Sequence, residues 1–313
     1  MSIKRIFQKC TKLNNWYIKQ KWKERKISLG KENADKTFYV IRRATGKVGL
    51  FSYVSTNLGH IKYALDRGYI PIVDMQNYQN TYLEEGQVGK ENAWEYYFKQ
   101  PCGYSLKDIK KSKNIILSSG LINCGVAYPD AKIANDDEQL KMWKSIADKC
   151  LKVNADVAKE AERKCDEIFG RARVLGVLAR GTDYVKARPK KHPVQPNATQ
   201  LIEKCKEVMK NYGCEKIYLT TEDEQIYLEF KEVFGERLLS MNVKRYQTSD
   251  QENINDVISR DKSKYTSGKE YLISILLLAK CNCLVAGNAG GTQGALLLSE
   301  GYEYKHVFDL GVY

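Results

Sequence analysis

The stretch VLGVLARGTDY, residues 174–184, decides how this chain is read. It begins as an apolar run too short for a core helix and stops abruptly at Arg180, Gly181, Thr182 and Asp183. In a chain that alternates strand and helix patterns, such a run is a buried strand carrying polar groups at its carboxyl end. Open α/β sheets bind their ligands there. Arg180 offers a planar, permanently charged fork suited to a diphosphate, and each charge-assisted hydrogen bond contributes roughly 1.5–3 kcal/mol. From this stretch alone, an arginine that merely closes a strand end against Asp183 remains an alternative.

The same pattern recurs twice downstream. Residues 216–220 predict a strand that opens into Thr221, Glu222 and Asp223. Residues 283–286 predict another, which opens into GNAGGTQG, residues 287–294, with a helix expected at 295–299. A strand, a glycine-rich turn and a helix place backbone N–H groups and a positive helix end where a phosphate can sit. Asn288, Gly290, Gly291, Thr292 and Gln293 are the candidate donor-binding residues of that turn, Thr292 adding a hydroxyl. The spacing matches neither the dinucleotide fingerprint nor a Walker loop, which disfavours a redox dinucleotide and ATP hydrolysis. Further helices are expected over residues 198–212, up to 234 and over 268–280, with a last strand at 306–310.

Upstream, residues 38–43 predict a strand, 47–66 a helix and 69–73 a second strand ending in Asp74, a compact βαβ unit. Another strand is expected at 114–117, and one or two charged helices over 136–169. Between them, residues 76–100 are rich in Tyr, Asn, Gln and Glu. Aromatic faces beside amides and carboxylates suit a carbohydrate, so Trp94 and Tyr96, with Asp74 at the strand end, are candidate acceptor-binding residues.

At 313 residues the chain is long enough for two domains. Its nine cysteines form no C-x-x-C pair, and Cys281 and Cys283, two apart, are expected to be buried, reduced thiols of a cytoplasmic protein. No apolar run approaches the roughly 20 residues of a membrane span, and residues 1–10 do not resemble a signal peptide. The net charge of +13 is concentrated: residues 1–43 hold 13 Lys/Arg against 3 Asp/Glu, and the remainder is nearly neutral. Basicity confined to one end disfavours nucleic acid as a partner. Ile3, Ile6, Phe7, Cys10, Leu13 and Tyr17 fall at helical spacing among lysines, so residues 1–30 are expected to form one amphipathic helix, lying on an anionic membrane surface or else docked on the protein's own body.

Residues 177–184, VLARGTDY, resemble the first motif of the fucosyltransferase superfamily that includes the α1,6-, α1,2- and protein O-fucosyltransferases. Residues 217–223, IYLTTED, are similar to its second motif, and residues 276–295 to its third, where a small-residue loop holds the donor phosphates. Residues 47–74 also resemble the family's glycine-rich βαβ start.

The resemblance implies a GT-B fold: two Rossmann-like domains facing across a cleft, acceptor domain at 36–168 and donor-nucleotide domain at 169–313, after a basic helix at 1–35. It implies metal-independent, inverting transfer of a sugar, by default fucose from GDP-fucose, to a glycan or lipid-linked oligosaccharide. Such an enzyme would extend surface polysaccharide at the inner face of the plasma membrane. Arg180 matches the arginine that holds the donor β-phosphate, Asp183 the motif's aspartate, and Thr221 and Asp223 fall in the second motif. Several positions depart from the pattern. Leu178 stands where a histidine reads guanine, Gly181 replaces a second arginine, and Ser274 stands for the guanine-binding aspartate, with Glu270 one turn earlier. Arg188 falls where a carboxylate base is wanted; His192 is the first candidate base, with Asp74 and Asp183 behind it. These departures leave a different nucleotide sugar, or a binding module without turnover, open.

Overall fold

In the computed structural model, residues 16–181, 188, 190–247 and 263–313 are described. They form two α/β lobes. The first holds β1 (Arg25–Ile27), β2 (Phe38–Ile41), β3 (Ile70–Val73) and β4 (Ile115–Leu117) in the order β1-β4-β2-β3. β2 runs parallel to both β3 and β4, whereas β1 lies antiparallel on β4. α1 (Leu50–Leu65) makes the crossover from β2 to β3 and buries Leu50, Val54, Leu58 and Ile61, a three-and-four spacing that faces the sheet. α2 (Asp137–Cys150) starts on Asp136, whose carboxylate accepts from the Gln139 N–H. α3 (Ala155–Phe169) follows.

The second lobe contains β5 (Val174–Leu178), α4 (Ala198–Tyr212), β6 (Lys216–Thr220), α5 (Glu224–Phe234) and β7 (Leu238–Leu239). It continues with α6 (Lys264–Ala279), β8 (Cys283–Gly287), α7 (Gly290–Leu298) and β9 (Tyr304–Phe308). The five strands are parallel, in the order β7-β6-β5-β8-β9. The chain builds outward from β5 to β6 and β7, then returns to lay β8 on the other flank of β5. That reversal opens a crevice beyond the carboxyl ends of β5 and β8. Leu178 pairs with Ala286, so Arg180 and Asn288 leave the sheet at the same end.

One face of this sheet packs on α4 and α5 through Val177, Leu201, Phe230 and Val285. The other face shares a continuous core with the first lobe, in which Leu178, Tyr218 and Leu277 join Tyr39, Leu58 and Trp94. α3 packs on α6, where Glu160 meets Lys269 at 2.8 Å.

Two expectations need correction. The helix predicted over residues 1–30 stops early: residues 16–21 are helical, and Arg25–Ile27 is an edge strand. Trp22 lies against Gly120, where a Cβ would come within 2.3 Å of the indole, and under the Arg42 guanidinium at 5.4 Å. From Trp22 onward the chain therefore belongs to the first lobe, because the β4 ladder offers residues 25–27 hydrogen bonds that a solvated helix end cannot match. Residues 1–15 of the expected helix lie outside the described residues.

The second correction concerns the glycines. α7 begins at Gly290, five residues before the expected start. Gly290, Gly291 and Gly294 all have ordinary helical φ; two of them serve close approach. A Cβ at Gly294 would lie 2.2 Å from the Phe51 ring, and one at Gly291 2.7 Å from the Tyr271 hydroxyl.

Candidate functional site

A cleft of about 1350 Å³ lies between the lobes, at the crevice where β5 and β8 end. Its first-lobe wall includes Arg43, residues 47–52 and residues 128–132; the second lobe supplies Arg180, Thr221, Glu222, Arg245, Tyr271 and residues 288–291. Among the described lining residues, eight are Lys or Arg and five Asp or Glu, a positive balance that favours an anionic ligand. No group of three or more His, Cys, Asp or Glu among the described residues could hold a metal ion.

Arg180 stands two residues beyond β5 and is held by Glu222, its Nη1 lying 3.4 Å from Oε1. Glu222 also accepts from the Gly181 N–H at 3.3 Å, which ties the carboxylate to the backbone of the arginine's own turn. Both side chains are mostly buried, 22% and 16% exposed, so the pair is better shielded than a surface salt bridge. Glu222 holds the arginine; Asp183, expected to orient it, lies outside the described residues.

The amino end of α7 lines the same cleft as Arg180. Ala289 is its N-cap and offers no side-chain acceptor, and among the described residues no side-chain capping bond is made there. Gly290 and Gly291 line the cleft at that end. Tyr271, on α6, reaches over Gly291. Burial pushes its hydroxyl up to about 12, with nearby Arg180 pulling the other way. Glu270 and Ser274, its neighbours on α6, line the cleft as expected, and so does Gln293, whose Oε1 is 3.5 Å from Ser55 Oγ of α1. Asn288 also lines it, although its Nδ2 donates across the lobes to the Ala131 carbonyl at 2.9 Å. Thr221 is buried at the cleft wall, and its hydroxyl accepts from the Asp223 N–H.

His192 is exposed on the rim of the same cleft. Its carbonyl accepts from the Tyr313 N–H at 3.1 Å, and Val194 N–H donates to the Gly311 carbonyl at 2.9 Å. The chain's last residues thereby fix the loop that carries the imidazole.

Several expected site residues are placed elsewhere. Thr292 is fully buried, and its hydroxyl donates to the Gly287 carbonyl at 2.6 Å, closing the strand-to-helix turn where no ligand reaches it. The Asp223 carboxylate caps α5 by accepting from the Ile226 N–H at 3.1 Å. It also fills the space a side chain at position 181 would need, since a Cβ there would fall 2.3 Å from Oδ2. That contact explains Gly181. The proposed acceptor residues do not line the cleft. Trp94 is a core residue, packed on Phe98 at 4.7 Å with its indole N–H donating to the Lys99 carbonyl. Tyr96 packs edge-on against Tyr265 and donates to Glu91. Asp74 is buried in a turn, accepting from the Gln76 and Asn77 backbone N–H groups. Their composition suited a sugar, but burial and local turn bonding decided their places.

Sequence reasoning missed Glu222, Tyr271 and Arg245 as cleft residues. The first was legible as the acidic residue directly after the strand end that carries Thr221. The second sits between two residues that were singled out.

This architecture, two Rossmann-like lobes with a cleft at the switch point of the second, is the GT-B fold of fucosyltransferase structures. The chain resembles NodZ alpha-1,6-fucosyltransferase, an enzyme from Bradyrhizobium, co-crystallized with GDP. The two share 15% identity over 84% of this chain and 93% of that one, with a TM-score of 0.50. It resembles POFUT1 in complex with GDP at 10% identity, covering 88% of this chain and 99% of the other, again with a TM-score of 0.50. No protein-family model and no curated protein matches the sequence.

Proposed function

We propose that this chain is a nucleotide-sugar-dependent glycosyltransferase of the fucosyltransferase type, with GDP-fucose as the default donor. The observation that carries this reading is the juxtaposition of Arg180, locked by Glu222, with the amino end of α7 across one crevice. A guanidinium fork and uncapped amides together match the oxygens of a diphosphate. They also stabilise the charge that develops on that diphosphate as the sugar leaves. The positive charge that a divalent metal would bring is supplied locally, so the reaction proceeds without one.

In the proposed inverting step, an acceptor hydroxyl enters from the first-lobe wall and attacks the anomeric carbon opposite the departing diphosphate. His192 on the rim accepts its proton. The acceptor is a glycan, lipid-linked and destined for surface polysaccharide, and the enzyme works at the inner face of the plasma membrane. Supporting this, Trp16 and Tyr17 are 61% and 58% exposed and are followed by Lys19, Lys21, Lys23, Arg25 and Lys26. Apolar rings among cations suit an anionic bilayer surface.

The test is hydrolysis or transfer from GDP-fucose in the presence of EDTA. Turnover by the intact protein, lost in Arg180→Ala, supports the proposal. Binding without turnover, with glycan acceptors supplied, identifies a nucleotide-sugar-binding module instead.

A further inference from the structure

Beyond the phosphate grip the cleft continues along α6 to Arg245, a residue that neither the proposed chemistry nor the core requires. Its backbone position is fixed. The next residue, Tyr246, forms a parallel bridge with Asp223, its N–H donating to the Glu222 carbonyl at 2.9 Å. Arg245 is thus strapped beside the turn that holds the partner of Arg180. Its guanidinium lies flat on the Tyr227 ring of α5 at 3.7 Å.

The polar surroundings are sparse. One long bond, 3.4 Å, runs from Nη2 to the Met241 carbonyl, and the buried Nε has no hydrogen-bond partner among the described residues. Burial lowers the guanidinium's pKa, with Tyr227, Glu224 and Tyr218 opposing from nearby. A buried N–H left unpaired is costly, and Arg245 nevertheless lines the cleft, where the rest of its fork can meet a ligand's acceptor atoms.

Position along α6 indicates which part of a ligand that is. Tyr271 marks the phosphate end, against Gly291 and within reach of Arg180. Three residues further on, the Ser274 carbonyl accepts from Tyr218, the phenol beside Arg245, at 3.3 Å. Three helical residues advance about 4.5 Å, the scale of the ribose that separates a nucleotide's diphosphate from its base.

We infer that Arg245 reads the base of the donor nucleotide, with its fork on two adjacent acceptor atoms. The inference rests on the nucleotide-sugar reading given above. Guanine offers such a pair at N7 and O6, and cytosine at N3 and O2; adenine and uracil alternate donor with acceptor along their edges. A lysine, being a point donor, does not replace a fork.

Binding of GDP, CDP, UDP, ADP and inorganic pyrophosphate is measured by calorimetry on the intact chain, on Arg245→Met and on Arg245→Lys. The intact protein is expected to prefer GDP or CDP, and whichever is preferred names the base. Both variants should lose roughly 10- to 100-fold for that nucleotide, falling to the level of UDP and ADP, while pyrophosphate affinity stays unchanged. A preference that survives both variants overturns the inference, as does a preference for UDP or ADP. A parallel loss of every ligand, pyrophosphate included, overturns it as well, since Arg245 would then serve the phosphates or the fold. If the intact protein binds none of the five, the nucleotide-sugar reading falls first and this inference with it.

Discussion

Gly294→Ala is the sharpest test of how the lobes meet. The added methyl would lie 2.2, 2.3 and 2.6 Å from Cε1, Cδ1 and Cζ of Phe51. Carbon–carbon contacts settle at about 3.5–4.0 Å, so ring or helix must move by more than ~1 Å. The ring has little room, since Phe51 is 2% exposed and its edge meets Tyr271 at 5.8 Å. Overpacking of this severity belongs at the upper end of the usual cost, ~3 kcal/mol. Replacing a helical glycine returns ~1 kcal/mol, leaving a net loss of about 2 kcal/mol. For a chain of this size that lowers Tm by roughly 4 °C in differential scanning calorimetry. Gly290→Ala is the matched control, because its methyl would meet Phe51 Cβ at an ordinary 3.6 Å; it should leave Tm unchanged or raise it slightly. If Gly294→Ala stabilises the protein as Gly290→Ala does, the close seat of α7 on α1 is wrong.

Other outcomes are equally specific. Glu222→Gln removes the negative charge 3.4 Å from Arg180 and should weaken GDP binding by roughly tenfold with little loss of stability, read by titration calorimetry and Tm together. His60 is buried on α1, within 3.0 Å of the Tyr39 hydroxyl, and burial lowers its pKa to about 4. The unfolded imidazole takes up its proton near pH 6.5 and the folded one only near 4, so stability present above 6.5 is lost as pH falls between them. The loss approaches ~3 kcal/mol in denaturant titrations and should disappear in His60→Phe, and equally in His60→Asn, neither of which carries a titrating ring. Removing residues 1–21 should abolish sedimentation with anionic vesicles while leaving Tm nearly unchanged, because among the described residues Trp22 is the first aromatic docked on the lobe.

The parts of this fold that were legible in the sequence are those governed by local pattern. The run ending at Arg180 and the strands at 216–220 and 283–287 have apolar cores bounded by polar ends, and the sheet buries them as read. Polar strand ends also pointed to one shared crevice, because parallel strands entering one sheet share a carboxyl edge. What failed depends on contacts distant in sequence. Gly291 and Gly294 look like a loop until Tyr271 and Phe51 are seen to occupy the space of their missing side chains. Trp94 and Tyr96 have the composition of a sugar platform, yet Phe98 and Tyr265 claim their faces. Arg245 gave no signal, because it lies in an irregular segment placed by a single bridge to Asp223.

α6 bears on how two substrates would meet. Its first turn is anchored in one lobe, where the Tyr97 hydroxyl donates to the Tyr265 carbonyl at 3.1 Å and the Lys264 N–H donates to Glu84 at 2.7 Å. Its remaining turns lie in the core of the other lobe, with Leu272, Ile275 and Leu278 fully enclosed. One helix is therefore bonded to the first half and enclosed in the core beside the second, so the gap between them is set where it crosses. Under the proposed function, donor and acceptor would meet across a spacing to which this helix contributes.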